Sequence, residues 1–112
     1  MGLRTRAIAV ASLIATSPPP LGYAFAADLP GDPMEGRELV ESWCAECHDV
    51  APGGVDMDVG VPAFQTLADD PAVTEMALRA FLRTPHDQMP DLMPTQEQTD
   101  HIIAYILSLK SQ

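Results

Sequence analysis

The two cysteines of this chain lie in one five-residue motif, Cys44-Ala45-Glu46-Cys47-His48. It presents two thiols, separated by two residues, and an imidazole that directly follows the second thiol. Thiols act as nucleophiles and metal ligands, and the histidine side chain is a common metal ligand. This short motif is therefore the first place in the chain to look for chemistry.

A Cys-x-x-Cys-His run is the attachment signature of a c-type haem. Two thiols that add across the two vinyl groups of one porphyrin must lie a short, fixed distance apart. The residue after the second thiol is then held under the iron as an axial ligand. The motif predicts one covalent haem c, with thioether bonds from Cys44 and Cys47 and with His48 on the iron.

Two other interpretations use the same residues. A redox-active Cys44–Cys47 pair is typical of a βαβ context, and the chain shows no such pattern. A zinc site could combine the motif with His86 or His101. However, adjacent cysteine and histidine side chains are awkward ligands for one tetrahedral ion, and the chain has no second Cys-x-x-Cys pair.

A second region with soft ligands, TPHDQMPDLMPTQEQ, spans residues 84–98 and contains Met89-Pro90 and Met93-Pro94. Either sulfur could be the second axial ligand of a six-coordinate haem iron. If Thr95 caps the last helix, Met89 is six residues away and has about 20 Å of maximum reach. Met93 is two residues away and reaches only about 7 Å, so Met89 is the predicted ligand and Met93 a packing residue.

The remaining methionines and histidines are weaker candidates. Met34 and Met76 fall within predicted helices, and Met76 is expected in the core. Met57 is expected in an exposed loop, and His101 on the surface or in a helix interface. His86 is chemically able to ligate iron and stays an alternative to Met89.

Strong capping signals mark the first and last helices. Asp32-Pro33 places an N-cap acid before a proline at the first helical position, so a helix is expected from Pro33 to about Cys44. Thr95 and Gln98 form a capping box before a period of apolar residues that ends near Leu109.

A middle helix is expected from Asp70-Pro71, which repeats the cap-then-proline signal, to about Arg83. Its predicted apolar face contains Val73, Met76, Ala77, Ala80 and Phe81. Residues 49–66 are expected to be loop with one helical turn near Phe64. Since no alternating strand pattern is present, the chain is predicted to be all-α.

The N-terminus predicts export. A basic start is followed by an apolar run, residues 7–15, that is too short to span a bilayer, and Ala24-Phe25-Ala26 fits a signal-peptidase site. Residues 1–26 are therefore predicted to be a cleaved signal peptide, with Ala27 or Asp28 as the first mature residue. Residues 27–112 form the single predicted domain, with a periplasmic location.

The domain is strongly acidic. The whole chain has a formal charge of −10. Residues 27–112 carry four basic side chains against sixteen acidic ones, a balance of −12. This charge disfavours nucleic acid and anionic lipid as partners and suits a basic docking partner.

The order of these features resembles a small monohaem class I cytochrome c of the bacterial, periplasmic type. The matching features are a glycine-bearing first helix, the haem motif, a proline-containing loop, a middle helix, Met89-Pro90 and a last helix with Ala104-Tyr105-Ile106. The resemblance implies a cytochrome c-type fold, in which three to four helices with long loops surround one covalently attached haem.

The resemblance also implies roles for individual residues. His48 and Met89 would be the axial ligands, and a proline carbonyl would accept a hydrogen bond from His48, with Pro62 preferred to Pro52. The first and last helices would cross at Gly36 and Tyr105. His86 would be a loop or haem-edge residue. Pro94 departs from the family pattern, in which a leucine is usual.

The function that this resemblance implies is electron transfer, not enzymatic catalysis. The protein would be a free shuttle or the cytochrome subunit of a dehydrogenase. Its redox partners would be a dehydrogenase or a terminal oxidase or reductase, steered by acids such as Glu46, Asp87 and Asp91. The alternative is a ligand-binding or catalytic haem protein, such as a sensor or peroxidase-like protein, with a labile sixth ligand.

Overall fold

The computed structural model describes Gly2 and residues 29–86 and 88–112. These residues form four helices: α1 (Pro33–Trp43), α2 (Phe64–Asp69), α3 (Glu75–Leu82) and α4 (Gln96–Ser108). Apart from an isolated β-bridge between Asp58 and Val61, the described part of the chain has no strand pairing, and the all-α prediction is confirmed. Apart from Gly2, the proposed signal peptide lies outside the described residues, as do its cleavage site and Asp87.

Local capping explains where α1 and α4 begin. The Asp32 side chain accepts a hydrogen bond from the amide of Met34 over 2.7 Å, with Pro33 at the first helical position. Thr95 and Gln98 form both bonds of the capping box, as predicted. No helix within the described residues is long and apolar enough to cross a bilayer.

The crossing of α1 and α4 requires a glycine. A Cβ atom on Gly36 would lie 2.8 Å from the Cβ of Tyr105 and would collide with the carbonyl of His101. The predicted contact of Gly36 with Tyr105 is therefore confirmed. His101 also accepts a hydrogen bond from the amide of Asp32 through Nδ1 over 2.7 Å, which places it in the helix interface.

The core lies between α4 and the segments that pack on it. It consists of Val40, Cys44, Val50, Phe64, Leu78, Ile102, Ile103, Tyr105 and Ile106. The hydroxyl of Tyr105 donates to the carbonyl of Val50 over 2.6 Å. This buried bond fixes the chain just after the haem motif to the last helix.

The middle helix begins later than predicted. Asp70 does not cap it, because its side chain accepts from the amide of Ala72 over 2.8 Å and closes a turn. Thr74 is the N-cap instead and accepts from the amide of Ala77 over 3.1 Å.

The predicted core face of the middle helix is also wrong except for Val73, which packs against the core. Met76 is 80% exposed, whereas Leu78 is buried. The inward stripe includes the half-buried Arg79, which forms an ion pair with Asp100 of α4 at 2.6 Å. The aliphatic stem of an arginine can line an apolar interface while its charge is paired. Because Arg79 does not count as an apolar residue, the apolar periodicity of the sequence does not predict this inward face.

Candidate haem site

The Cys-x-x-Cys-His segment forms a tight turn at the end of α1. The amides of Cys47 and His48 both donate to the carbonyl of Cys44, over 3.1 and 2.9 Å. Cys44 is buried and Cys47 exposed, and both are free thiols. The turn therefore brings the two sulfurs and the imidazole into one short segment at the edge of the core.

The His48 ring is held in one orientation. Its Nδ1 lies 2.7 Å from the carbonyl oxygen of Pro62. Since a carbonyl can only accept, Nδ1 carries the proton, and Nε2 of the neutral ring keeps its lone pair for a metal. The Phe64 ring packs beside it, with centroids 5.4 Å apart and ring planes at 49°.

A cleft next to the motif includes the second candidate ligand. It is lined by Trp43, Cys44, Leu82, Thr84, His86, Met89, Pro90, Asp91, Leu92, Pro94 and Ile102. Cys44 of the motif and Met89 of the predicted ligand loop therefore line the same cleft. His86 lines it too, and its ring stacks on Phe81 with centroids 3.5 Å apart.

Met93 differs from its predicted packing role. It is 77% exposed, and its backbone has a φ of 47°, in the left-handed region. Its amide donates to the side chain of Asp91 over 3.3 Å. The turn formed by these residues directs the Met93 side chain to solvent, whereas Met89 is half-buried in the cleft wall.

The environment of Cys44 is unlike that of a redox-active thiol. Burial, together with the nearby Cys47, raises the pKa of the Cys44 thiol to about 11. Reactive thiols have lowered pKa values, because the thiolate is the nucleophile. The buried, protonated sulfur therefore disfavours a thioredoxin-like pair.

The zinc interpretation also lacks support from side-chain placement. Among the residues described, no three His, Cys, Asp or Glu side chains converge closely enough to hold a metal ion. His101 is engaged with Asp32 in the interface of α1 and α4.

Comparisons with known proteins agree with this geometry. The family model described as cytochrome c oxidase, cbb3-type, subunit III, matches residues 31–106. Cytochrome c-552 of Bradyrhizobium diazoefficiens is 37% identical over 82 residues, which cover 73% of this chain and 79% of that protein. The chain belongs to the small class I cytochromes c. No solved structure gives a significant match.

As a member of this family, the cytochrome is an electron-transfer protein with covalently attached haem c and with redox proteins as partners. The side chains of the site fit a covalently attached haem c. Two thiols at the required spacing and a histidine with its lone pair on Nε2 lie in one turn, and Cys44 of this turn lines a largely apolar cleft together with the thioether of Met89. These are the donor types that hold a c-type haem.

Two acidic residues support the site of the cytochrome and were missed by sequence reasoning. Asp49 accepts from the amides of Ala51 and Val55, both over 3.1 Å. Asp56 accepts from the amide of Ala63 over 2.7 Å. Both lie in a glycine-rich, acidic loop without periodicity, so no local signal separated them from the surface acids.

Proposed function

We propose that this cytochrome is a periplasmic carrier of single electrons with His/Met ligation. Cys44 and Cys47 would hold the haem as thioethers, and His48 and Met89 would ligate its iron. The observation that carries this proposal is the bond from His48 Nδ1 to the Pro62 carbonyl, which leaves the lone pair on Nε2 of a histidine in the same turn as the two thiols. Met89 lines the cleft that includes Cys44, which supports its role as the second ligand.

A bound haem c supplies an iron whose charge changes by one electron. His48 and Met89 together would fill both axial positions, so that the protein changes little between its two redox states. A thioether ligand favours the reduced iron and raises the reduction potential. The apolar side chains of Trp43, Leu82 and Ile102 would keep water from the site, which disfavours the extra charge of the oxidised iron.

The competing function is a sensor or peroxidase-like protein with an open sixth position. Its supporting observation is that His86 lines the same cleft and could serve as a distal acid or base. The stack of His86 on Phe81 instead anchors the loop that presents Met89. With Met89 in the sixth position, the haem would support electron transfer without enzymatic activity.

The charge of the chain supports a basic docking partner. With four basic and sixteen acidic side chains in residues 27–112, the surface repels anionic partners and accelerates encounter with cationic ones. Glu46 and Asp91 are exposed, and Asp91 lines the cleft. The partner would be a dehydrogenase or a terminal oxidase or reductase, and gel filtration from the native host would distinguish a free shuttle from a subunit.

Paired substitutions test the ligand assignment. Met89→Ala should abolish the methionine–iron charge-transfer band of the oxidised protein and open the sixth position to added imidazole or cyanide. Met93→Ala is the matched control, since it removes the same side chain four residues away from an exposed position. It should leave the band and the ligand affinity unchanged.

Three outcomes would contradict this proposal. Loss of the band in Met93→Ala alone would move the ligand to the second Met-Pro pair. Loss of the wild-type spectrum in His86→Ala would make His86 the ligand. A purified protein without haem, with zinc or free thiols, would overturn the function itself.

A further inference from the structure

One peptide group connects His48 to a carboxylate. The carbonyl oxygen of the Pro62–Ala63 peptide accepts from His48 Nδ1 over 2.7 Å, and the amide of the same peptide donates to Asp56 Oδ1 over 2.7 Å. The described peptides are all trans, so the carbonyl and the N–H point in opposite directions. The two bonds therefore form one chain from imidazole through peptide to carboxylate.

The surroundings hold this chain in place. Ala63 is fully buried and Phe64 is 4% exposed. The amide of Phe64 donates to the carbonyl of Asp49 over 2.9 Å, which fixes the backbone on the far side of Ala63. Thr66 donates its hydroxyl to the same Oδ1 of Asp56 over 2.8 Å.

The Asp56 side chain is charged at neutral pH. The amide of Ala63, and then the hydroxyl of Thr66, hold the pKa of this carboxyl below its usual value. A hydrogen bond to an ionised acceptor is stronger than one between neutral groups. The amide of Ala63 is therefore polarised by a full negative charge.

We propose that Asp56 is a positioning residue that fixes the Pro62 carbonyl and increases, through the peptide, electron donation from His48 to the iron. This inference rests on the proposed function. Linked hydrogen bonds polarise one another, by roughly 10–30% per bond. A more negative Pro62 oxygen draws the Nδ1 proton more strongly and makes Nε2 the better donor, as outer hydrogen-bond partners do for metal-bound histidines.

The expected consequence is a lower reduction potential than the same haem would have without this carboxylate. Stronger donation from Nε2 stabilises the oxidised iron relative to the reduced iron. Removing the charge of Asp56 should therefore raise the potential. The direct electrostatic effect of losing any nearby negative charge has the same sign, so the test must separate the two.

Asp56→Asn and Asp58→Asn form the matched pair. The first keeps an oxygen that can accept from Ala63 but removes its charge. The second removes the same charge two residues away, from a side chain that accepts from the amide of Val59 over 2.7 Å. Asp56 and Asp58 are both exposed. Potentials of the haem-loaded variants should be measured at low and high ionic strength, because salt screens the effect of a charge through solvent but leaves the hydrogen bonds between contacting groups in place.

We expect Asp56→Asn to raise the potential more than Asp58→Asn, and the difference to persist in high salt. NMR of the reduced protein gives a second readout. The His48 Nδ1 proton should move upfield in Asp56→Asn and stay in place in Asp58→Asn. Equal potential changes in the two variants, or an unmoved His48 proton in Asp56→Asn, would overturn the proposal.

Thr66→Val provides an independent test should Asp56→Asn fail to fold. It removes a donor that competes for Asp56 Oδ1, so the bond to Ala63 should strengthen. The potential should fall and the His48 proton should move downfield, while an unchanged or raised potential would overturn the proposal. A wild-type protein without a haem spectrum would instead refute the proposed function, so the two failures are distinguishable.

Discussion

At the scale of single residues, several carboxylates of this chain serve as acceptors for backbone amides. Asp32 caps α1, Asp70 closes a turn, and Asp56 receives the amide beside Pro62. Asp69 binds the C-terminal segment, since its Oδ1 accepts from the amide of Ser111 over 2.7 Å. The acidic composition is therefore partly structural as well as a source of surface charge.

Asp69 should make stability depend on pH. A hydrogen bond from Gln65, followed by the amide of Ser111, lowers the pKa of the Asp69 carboxyl in the folded state. A lowered folded pKa means that the ionised form stabilises the fold. This contribution is full above the unfolded value of about 3.9 and is lost as pH falls through the lower folded pKa.

Asp69→Asn should therefore lower the free energy of unfolding at pH 6. It should also make the fall of this free energy below about pH 4 less steep than in the wild type. Denaturant unfolding at a series of pH values measures both effects. Glu38→Gln removes the same charge from an exposed position on α1 and controls for net charge. The same acid dependence in Asp69→Asn as in the wild type would contradict this role.

At the scale of elements, the crossing of α1 and α4 determines the position of the haem motif. Gly36 allows the close approach, and Cys44 follows directly after the last residue of α1. A displaced α1 would therefore move the thiols relative to the cleft that α4 helps to form.

Gly36→Ala should destabilise the protein by about 1–3 kcal/mol, the usual cost of overpacking, despite the better helix propensity of alanine. The reason is that the new Cβ would meet Tyr105 and the carbonyl of His101. Denaturant unfolding measures the change, and Glu38→Ala on the exposed face should change stability by less than about 0.5 kcal/mol. A variant as stable as the wild type would show that the helices separate without cost.

Sequence reasoning succeeded for elements whose signals are local. The Asp32-Pro33 cap and the capping box of Thr95 act within four residues, and both helices begin where these signals predict. It failed for α3, because two caps compete within five residues and Asp70 is already used in a turn. The role of Asp56 could not be predicted, because its partner Ala63 is identified only by the folded loop.

At the scale of the whole molecule, the features combine into a small acidic protein built around one haem. Short helices and long loops alone bury a limited core, and a domain of this size commonly depends on a further group for stability. Cys44 belongs to the core and also lines the cleft that includes Met89, and the oriented His48 follows it in the same turn. We infer that the haem is both the redox centre and a part of the core.

An optical redox titration of the purified protein tests this interpretation most directly. It should show one covalent haem c per chain, low-spin spectra in both states and a single reversible one-electron transition. The oxidised state should carry the methionine–iron charge-transfer band. A protein without haem absorbance, or an oxidised high-spin spectrum with an open sixth position, would contradict a His48/Met89 electron carrier.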